Sequence, residues 1–151
     1  MDFTSRKAYI TPAGHIARSL WEADNMTENE KSTIRELSIE LTVDITKVCD
    51  PIRGRSIFIN QLLRSCSSIG ANASEAKYAQ SNADFVNKLE IALKECNETD
   101  YWLEILVRTN SIGQDDYTRL HNRCNHIKRK LISSITTVKS RMTCNDPHQY
   151  K

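Results

Sequence analysis

Glycine and proline are scarce in this chain, four and three residues among 151. That scarcity excludes collagen-like and low-complexity architectures and disfavours folds assembled from many tight turns. Long apolar runs are also missing. No stretch approaches the roughly eighteen residues that would suggest a membrane span, and the N-terminus has no apolar run behind a basic start. The chain reads as soluble and cytoplasmic, with no membrane partner. Its five cysteines (Cys49, Cys66, Cys96, Cys124 and Cys144) form an odd set without paired spacing, which argues against a disulfide framework. Aromatic residues are only 7% and hardly interleave with basic ones, so sequence-specific single-strand recognition by stacking is not indicated. A net charge of +2 is too small to make the whole chain a nucleic-acid binder, so the distribution of charge must carry that question.

What is present is helical periodicity. From about Lys31 to Cys49, Ile34, Leu37, Leu41, Ile45 and Val48 recur at threes and fours until Pro51 stops the pattern. A second segment, about Gly54 to Ala79, carries Ile59, Leu62, Cys66, Ile69, Ala73 and Ala76. The third, residues 82–108, follows Ser81 as N-cap and repeats Phe85, Leu89, Ala92, Cys96, Thr99, Leu103 and Leu106. After a break at Gly113, the fourth runs from about Asp116 to Arg141 with Tyr117, Leu120, Cys124, Ile127, Leu131, Ile135 and Val138 on one side. No segment alternates like a strand. The expected fold is all-α, an antiparallel up-down four-helix bundle over residues 27–144. Residues 1–26 form an N-terminal extension, either non-native or a short helix from Pro12 that docks through Ile16, Leu20 and Trp21, and residues 145–151 a frayed tail.

The stretch "RSCSSIGANASEAK", residues 64–77, is poor in large side chains. As a phosphate loop it fails, because it has one glycine and no preceding strand. The tetrad Ser74 to Lys77 matches S-x-x-K but lacks its companion motifs. As a helix it places small residues on two sides, with Arg64, Ser68, Ala71 and Glu75 opposite the core stripe. Gly70 costs about 1 kcal/mol relative to alanine in a helix, which makes sense if a neighbouring backbone comes close; the alternative is a kink. On the third helix, Ile91, Trp102 and Ile105 form a second apolar patch interleaved with Glu95 and Glu98. Either the N-terminal extension or a second copy of the chain covers it, and a symmetric homo-oligomer is the simplest partner. Arg64, Glu75 and Glu98 would fix the geometry of the bundle or of the ring through charge-assisted contacts.

Charge separates by helix. Residues 82–108 hold three basic and six acidic side chains, residues 115–141 seven basic and two acidic. Arg119, Arg123, His126, Lys130 and Arg141 form a strip about a quarter turn from the core stripe, with Lys128 and Arg129 nearby. Repeated around an oligomer, such a strip would multiply phosphate contacts. The opposing reading is that these residues solvate the helix or pair with the acidic third helix. His121, Cys124 and His126 lie close in sequence but do not share a face, and no second ligand pair has zinc spacing, so no metal is expected. No nucleophile, base and orienting acid assemble from spacing, so neither catalytic residues nor a cofactor are expected.

One string resembles a known family. Residues 58–106 contain Gln61, Leu62, Arg64, Ser65, Ser68, Ile69, Ala71, Asn72 and Glu75, then Phe85, Leu89, Ile91, Ala92, Glu98, Tyr101, Trp102 and Leu103. This pattern is similar to the 23S rRNA intervening-sequence protein family, with Ala73, Ser74 and Ala76 departing where that family often has Ile, Ala and Gly. The resemblance extends loosely over residues 30–140. It implies an up-down bundle assembling as a ring-shaped homopentamer, with no established enzyme activity. A more distant likeness is to the accessory proteins of diversity-generating retroelements, described as holding nucleic acid on a basic outer surface. Two functions are therefore expected to compete: a non-enzymatic assembly binding RNA (ribosomal RNA among the options) or DNA, and a protein-interaction scaffold without a nucleic-acid role.

Overall fold

Thr33 opens the first helix with a reciprocal capping box. Its Oγ1 accepts the Glu36 N–H at 3.2 Å while Glu36 Oε2 accepts the Thr33 N–H at 2.9 Å, so two donors that a helix start leaves orphaned are satisfied. The structure, a computed structural model, describes residues 33–144. The extension and the tail expected at residues 1–26 and 145–151 lie outside the described residues. So do Lys31 and Ser32, where the periodicity places the start of the first helix.

Four helices and no strand are present among the described residues: α1 (Ile34–Cys49), α2 (Ser56–Ala76), α3 (Asn82–Arg108) and α4 (Gln114–Cys144). The second is shorter at both ends than its periodicity suggests. Gly54, at φ +76°, makes the turn before it, and Arg55 at the N-cap supplies no side-chain bond. α3 starts as expected, with Ser81 Oγ accepting the Asp84 N–H at 3.1 Å.

The break between α3 and α4 differs from expectation in its cause. Asn110, at φ +52°, takes the left-handed position, so that the Ser111 N–H reaches Leu106 O at 2.8 Å and its own N–H reaches Val107 O at 3.0 Å. This is a Schellman stop with asparagine in glycine's usual place. Gly113 is not in the left-handed region; it directly precedes α4, which starts two residues earlier than expected and runs three residues past Arg141.

The expected stripes form the core. Leu41, Ile45, Leu62, Cys66, Ile69, Ala92, Cys96, Leu103, Leu106, Cys124 and Leu131 are fully buried, and Leu120 and Ile127 nearly so. Each large aliphatic side chain among them contributes about 1.5–3 kcal/mol by leaving water. At the helix ends the stripe drifts by one residue: Cys49 and Val86 are buried, while Val48 and Phe85 are only partly covered.

Consecutive helices pack along their lengths, α2 and α3 sharing the longest seam, and α1 also meets α4 along the sparsest one. Residue order reverses across the α2–α3 seam. Ser65 meets Thr99 (Oγ to Oγ1, 3.0 Å) and Glu75 meets Lys88 (2.6 Å), so a later position on α2 faces an earlier one on α3. Across α3 and α4, Asp100 faces His121 and Glu90 faces Lys139, again in reverse order.

Proximity accounts for Gly70. α2 continues through it without interruption, and a Cβ built there would sit 3.2 Å from Ser38 Cβ and 3.3 Å from Ser38 Oγ. Ser38 is buried and its hydroxyl is tied to the Ile34 carbonyl, so it has little room to yield. Gly70→Leu should lower the unfolding free energy by about 2–3 kcal/mol through overpacking. Gly70→Ala should stay within about 1 kcal/mol of wild type, because helix propensity offsets the squeeze. Denaturant midpoints of the two variants check this; equal midpoints would mean that α1 moves aside freely.

Candidate functional site

α4 carries a larger surplus of positive charge than the chain as a whole, its buried stripe using apolar residues and cysteine and its other faces lysine and arginine. The structure divides these cations into two groups. Towards the N-terminal end, Arg119 and Arg123 converge on one carboxylate oxygen of α1: Asp44 Oδ2 lies 3.3 Å from Arg119 Nη1 and 2.8 Å from Arg123 Nη1. Arg119 Nη2 also meets Asp116 Oδ1 at 2.7 Å, and Glu40 Oε2 lies 3.8 Å from Arg123 Nη1. Both guanidinium side chains remain 46% exposed. Two arginines therefore share a neighbourhood with three carboxylates, and the local charge is not positive.

The rest of the helix differs. Lys128 approaches Asp100 at 4.0 Å and Lys139 pairs with Glu90 at 2.6 Å, so part of the basic surface does answer the acidic α3. Arg129 and Arg141 are exposed and form no ion pair with the described residues, and Lys130 is partly buried. His126, on the same strip, has Nε2 buried without a hydrogen-bond partner.

The α2–α3 seam gathers several of the residues assigned to an oligomer or packing face. The Arg64 guanidinium donates to Glu98, lies 3.7 Å from Glu95, and holds Gln61 Oε1 at 3.1 Å through Nε. Glu98 also accepts the indole N–H of Trp102 at 3.3 Å, and Trp102 stacks on Phe58 with its edge against the exposed Tyr101. The Arg64 bond is the main reason the Glu98 carboxyl lies below its ordinary pKa, with Trp102 adding to it and burial opposing it. Ser68, Ile91 and Ile105 are half-buried; Ala71 and Glu75 are exposed, and Glu75 pairs with Lys88. Arg64, Glu75, Glu98 and Trp102 thus make contacts within the subunit, several of them across the seam between α2 and α3.

An open groove of about 300 Å³ lies between α1 and α2, lined by Ile39 and Val43 on one side and Ser67, Gly70 and Ala71 on the other. Ile39 and Val43 are each 46% exposed. They sit off the buried stripe of α1, and their positions one turn apart are the signal that could have found them.

The chemistry-bearing residues do not converge. His121 is bonded to Asp100 and to Asn125, stacks on Tyr117, and points away from Cys124, whose thiol donates to the Cys96 carbonyl at 3.4 Å in the core. Among the described residues no cluster of three or more His, Cys, Asp or Glu side chains could hold a metal ion, and no helix is long and apolar enough to cross a membrane. Burial raises the Cys49 and Cys66 thiols to about 11, and the Cys124 thiol, which donates to Cys96, is raised as well. The thiolate is the nucleophile, so these groups are poor ones.

The sequence of residues 30–133 matches the family model described as 23S rRNA-intervening sequence protein, so the chain belongs to that family. Among solved structures it is similar to a protein of unknown function from the S23 ribosomal protein family of Bacteroides thetaiotaomicron. The two are 44% identical, with a TM-score of 0.64 over 68% of this chain and 98% of that one. No curated protein matches the chain.

At pH 8, iodoacetamide should leave Cys49, Cys66, Cys96 and Cys124 unmodified in the native protein and label all four after denaturation, as read by peptide mass spectrometry. Glu98→Gln should lower the melting temperature at pH 7. Because the folded pKa of Glu98 is depressed, its stabilisation is present above the unfolded value and lost as pH falls through the folded one. The gap between variant and wild type should therefore close on acidification.

Proposed function

We propose that this family member is a non-enzymatic, homo-oligomeric bundle that binds nucleic acid, RNA in the first instance, through the basic face of α4. The reversed order of contacts along its seams supports reading the fold as an antiparallel up-down bundle. The observation that carries the binding reading is the surplus of cations on α4, with Arg129 and Arg141 exposed and free of ion pairs with the described residues. The family's description, which names a 23S rRNA intervening sequence, points to the same class of ligand. Two such arginines per subunit bind phosphate weakly, and assembly into a ring, a pentamer by the resemblance, would place several pairs on one polyanion. The exposed Ile39 and Val43 beside small residues of α2 supply apolar surface for subunit contact. The buried, poorly nucleophilic thiols support a role without covalent chemistry in a reducing cytoplasm.

A protein-interaction scaffold is the second reading, favoured by that same groove, which suits a partner helix as well as a sister subunit.

Light scattering on protein purified without nuclease should give a pentamer of the 17.3 kDa chain carrying excess absorbance at 260 nm. RNA affinity should fall steeply with salt, and Arg129→Glu with Arg141→Glu should flatten the slope by about 0.7 for each single-strand phosphate that is no longer neutralised. A monomer overturns the assembly; a flat salt dependence overturns the nucleic-acid reading in favour of the scaffold.

A further inference from the structure

Asp44 occupies the place where a phosphate would otherwise sit on the strip. One of its oxygens is within 3.3 Å of two guanidinium nitrogens from successive turns of α4, and its side chain is only 23% exposed. Arginines one turn apart hold their guanidinium groups on one helix face, which is the spacing needed to grip an oxyanion from two sides. Here the oxyanion is intramolecular. Asp116 and Glu40 extend the same arrangement, one at the start of α4 and the other one turn before Asp44 on α1. The guanidinium groups stay half exposed, so an external anion can reach them without unfolding α4.

We infer that Asp44 is an internal competitor for phosphate, which holds Arg119 and Arg123 out of nucleic-acid binding while it is seated between them. The inference rests on the nucleic-acid reading for its biological use, but the anion site itself follows from the geometry. The seam that Asp44 closes, between α1 and α4, is the sparsest of the four in the bundle. Displacing the carboxylate therefore disturbs less packing than opening any other seam would. A polyanion held by Arg141, about five turns along the same helix face as Arg123, would raise the local phosphate concentration along the strip that carries this pair. Tight binding would then require release of Asp44, coupling occupancy of the strip to the contact between α1 and α4.

The test replaces the carboxylate by its neutral isostere. Asp44→Asn should raise affinity for a single-stranded RNA oligonucleotide about ten-fold at low salt. It should also steepen the salt dependence by about 0.7, since one further phosphate is gripped between the two arginines. Arg119→Gln with Arg123→Gln in the Asp44→Asn background should abolish the gain. Inorganic pyrophosphate, followed by calorimetry, gives a readout independent of RNA, with binding to Asp44→Asn and little to wild type. If Asp44→Asn proves unstable, Glu40→Gln removes a neighbouring charge without touching the bridge and should give a smaller gain of the same sign. RNA binding by wild type that depends on Arg129 and Arg141 but is unchanged in Asp44→Asn overturns the competitor alone. Pyrophosphate binding gained in Asp44→Asn, with no RNA bound by any variant, supports the anion site and overturns the nucleic-acid reading.

Discussion

Everything in this fold follows from four apolar stripes having to share one core. A helix can bury only one side, so Leu41, Leu62, Leu103 and Leu131 turn inward and the charged residues are pushed to the seams and outer faces. The seams then become electrostatic by necessity, because a long charged side chain beside a neighbouring helix either finds a counter-ion or turns back to water. At the α1–α2 seam the constraint is steric instead. Ser38 and Gly70 set how near the two helices can come, and a flexible residue inside α2 is tolerated at the point where a methyl group would crowd its neighbour.

Charge pairing across the seams changes what the surface offers a partner. Net charge by helix makes α4 strongly basic, but Arg119, Arg123, Lys128 and Lys139 each face a carboxylate from α1, α3 or the start of α4 itself. Such exposed pairs add little to stability one at a time. Their larger effect is on the field, since a phosphate approaching Arg123 also meets Asp44 and Glu40. The useful positive surface of a single subunit is therefore smaller than the formal charge of the helix and lies nearer its C-terminal half, at Arg129 and Arg141. On the opposite seam, Arg64 and Glu98 stitch α2 to α3 and hold Trp102 in position over Phe58. Residues that look like an assembly face in the sequence thus already have a role within the subunit.

Much of the architecture is legible in the sequence because its causes are local. Heptad-like spacing marks the buried residues of α2, α3 and α4 almost position by position, and Ser81 announces the start of α3. The pattern fails where local and nonlocal signals diverge. Gly113 is the obvious breaker, yet Asn110 ends α3, because asparagine tolerates the left-handed conformation and Leu106 and Val107 offer carbonyls that accept the freed N–H groups. The Thr33–Glu36 capping box places the start of α1 at the head of the apolar period that Ile34 and Leu37 begin, where periodicity alone marks the start only to within a few residues. Ser65 and Thr99 are buried as a hydroxyl pair, which no single helix reveals: the two positions meet only across a seam.

The sequence by itself determined the helices, their inward faces, the family and the segregation of charge, because periodicity, capping and composition act over a few residues along one chain. Tertiary structure alone decided which cations are neutralised and which remain. Whether Arg119 faces solvent or Asp44 depends on the register between α1 and α4, which is set by how side chains in the core interlock. Arg119 and Asp44 are 75 positions apart, a distance over which a one-dimensional pattern carries no information about contact.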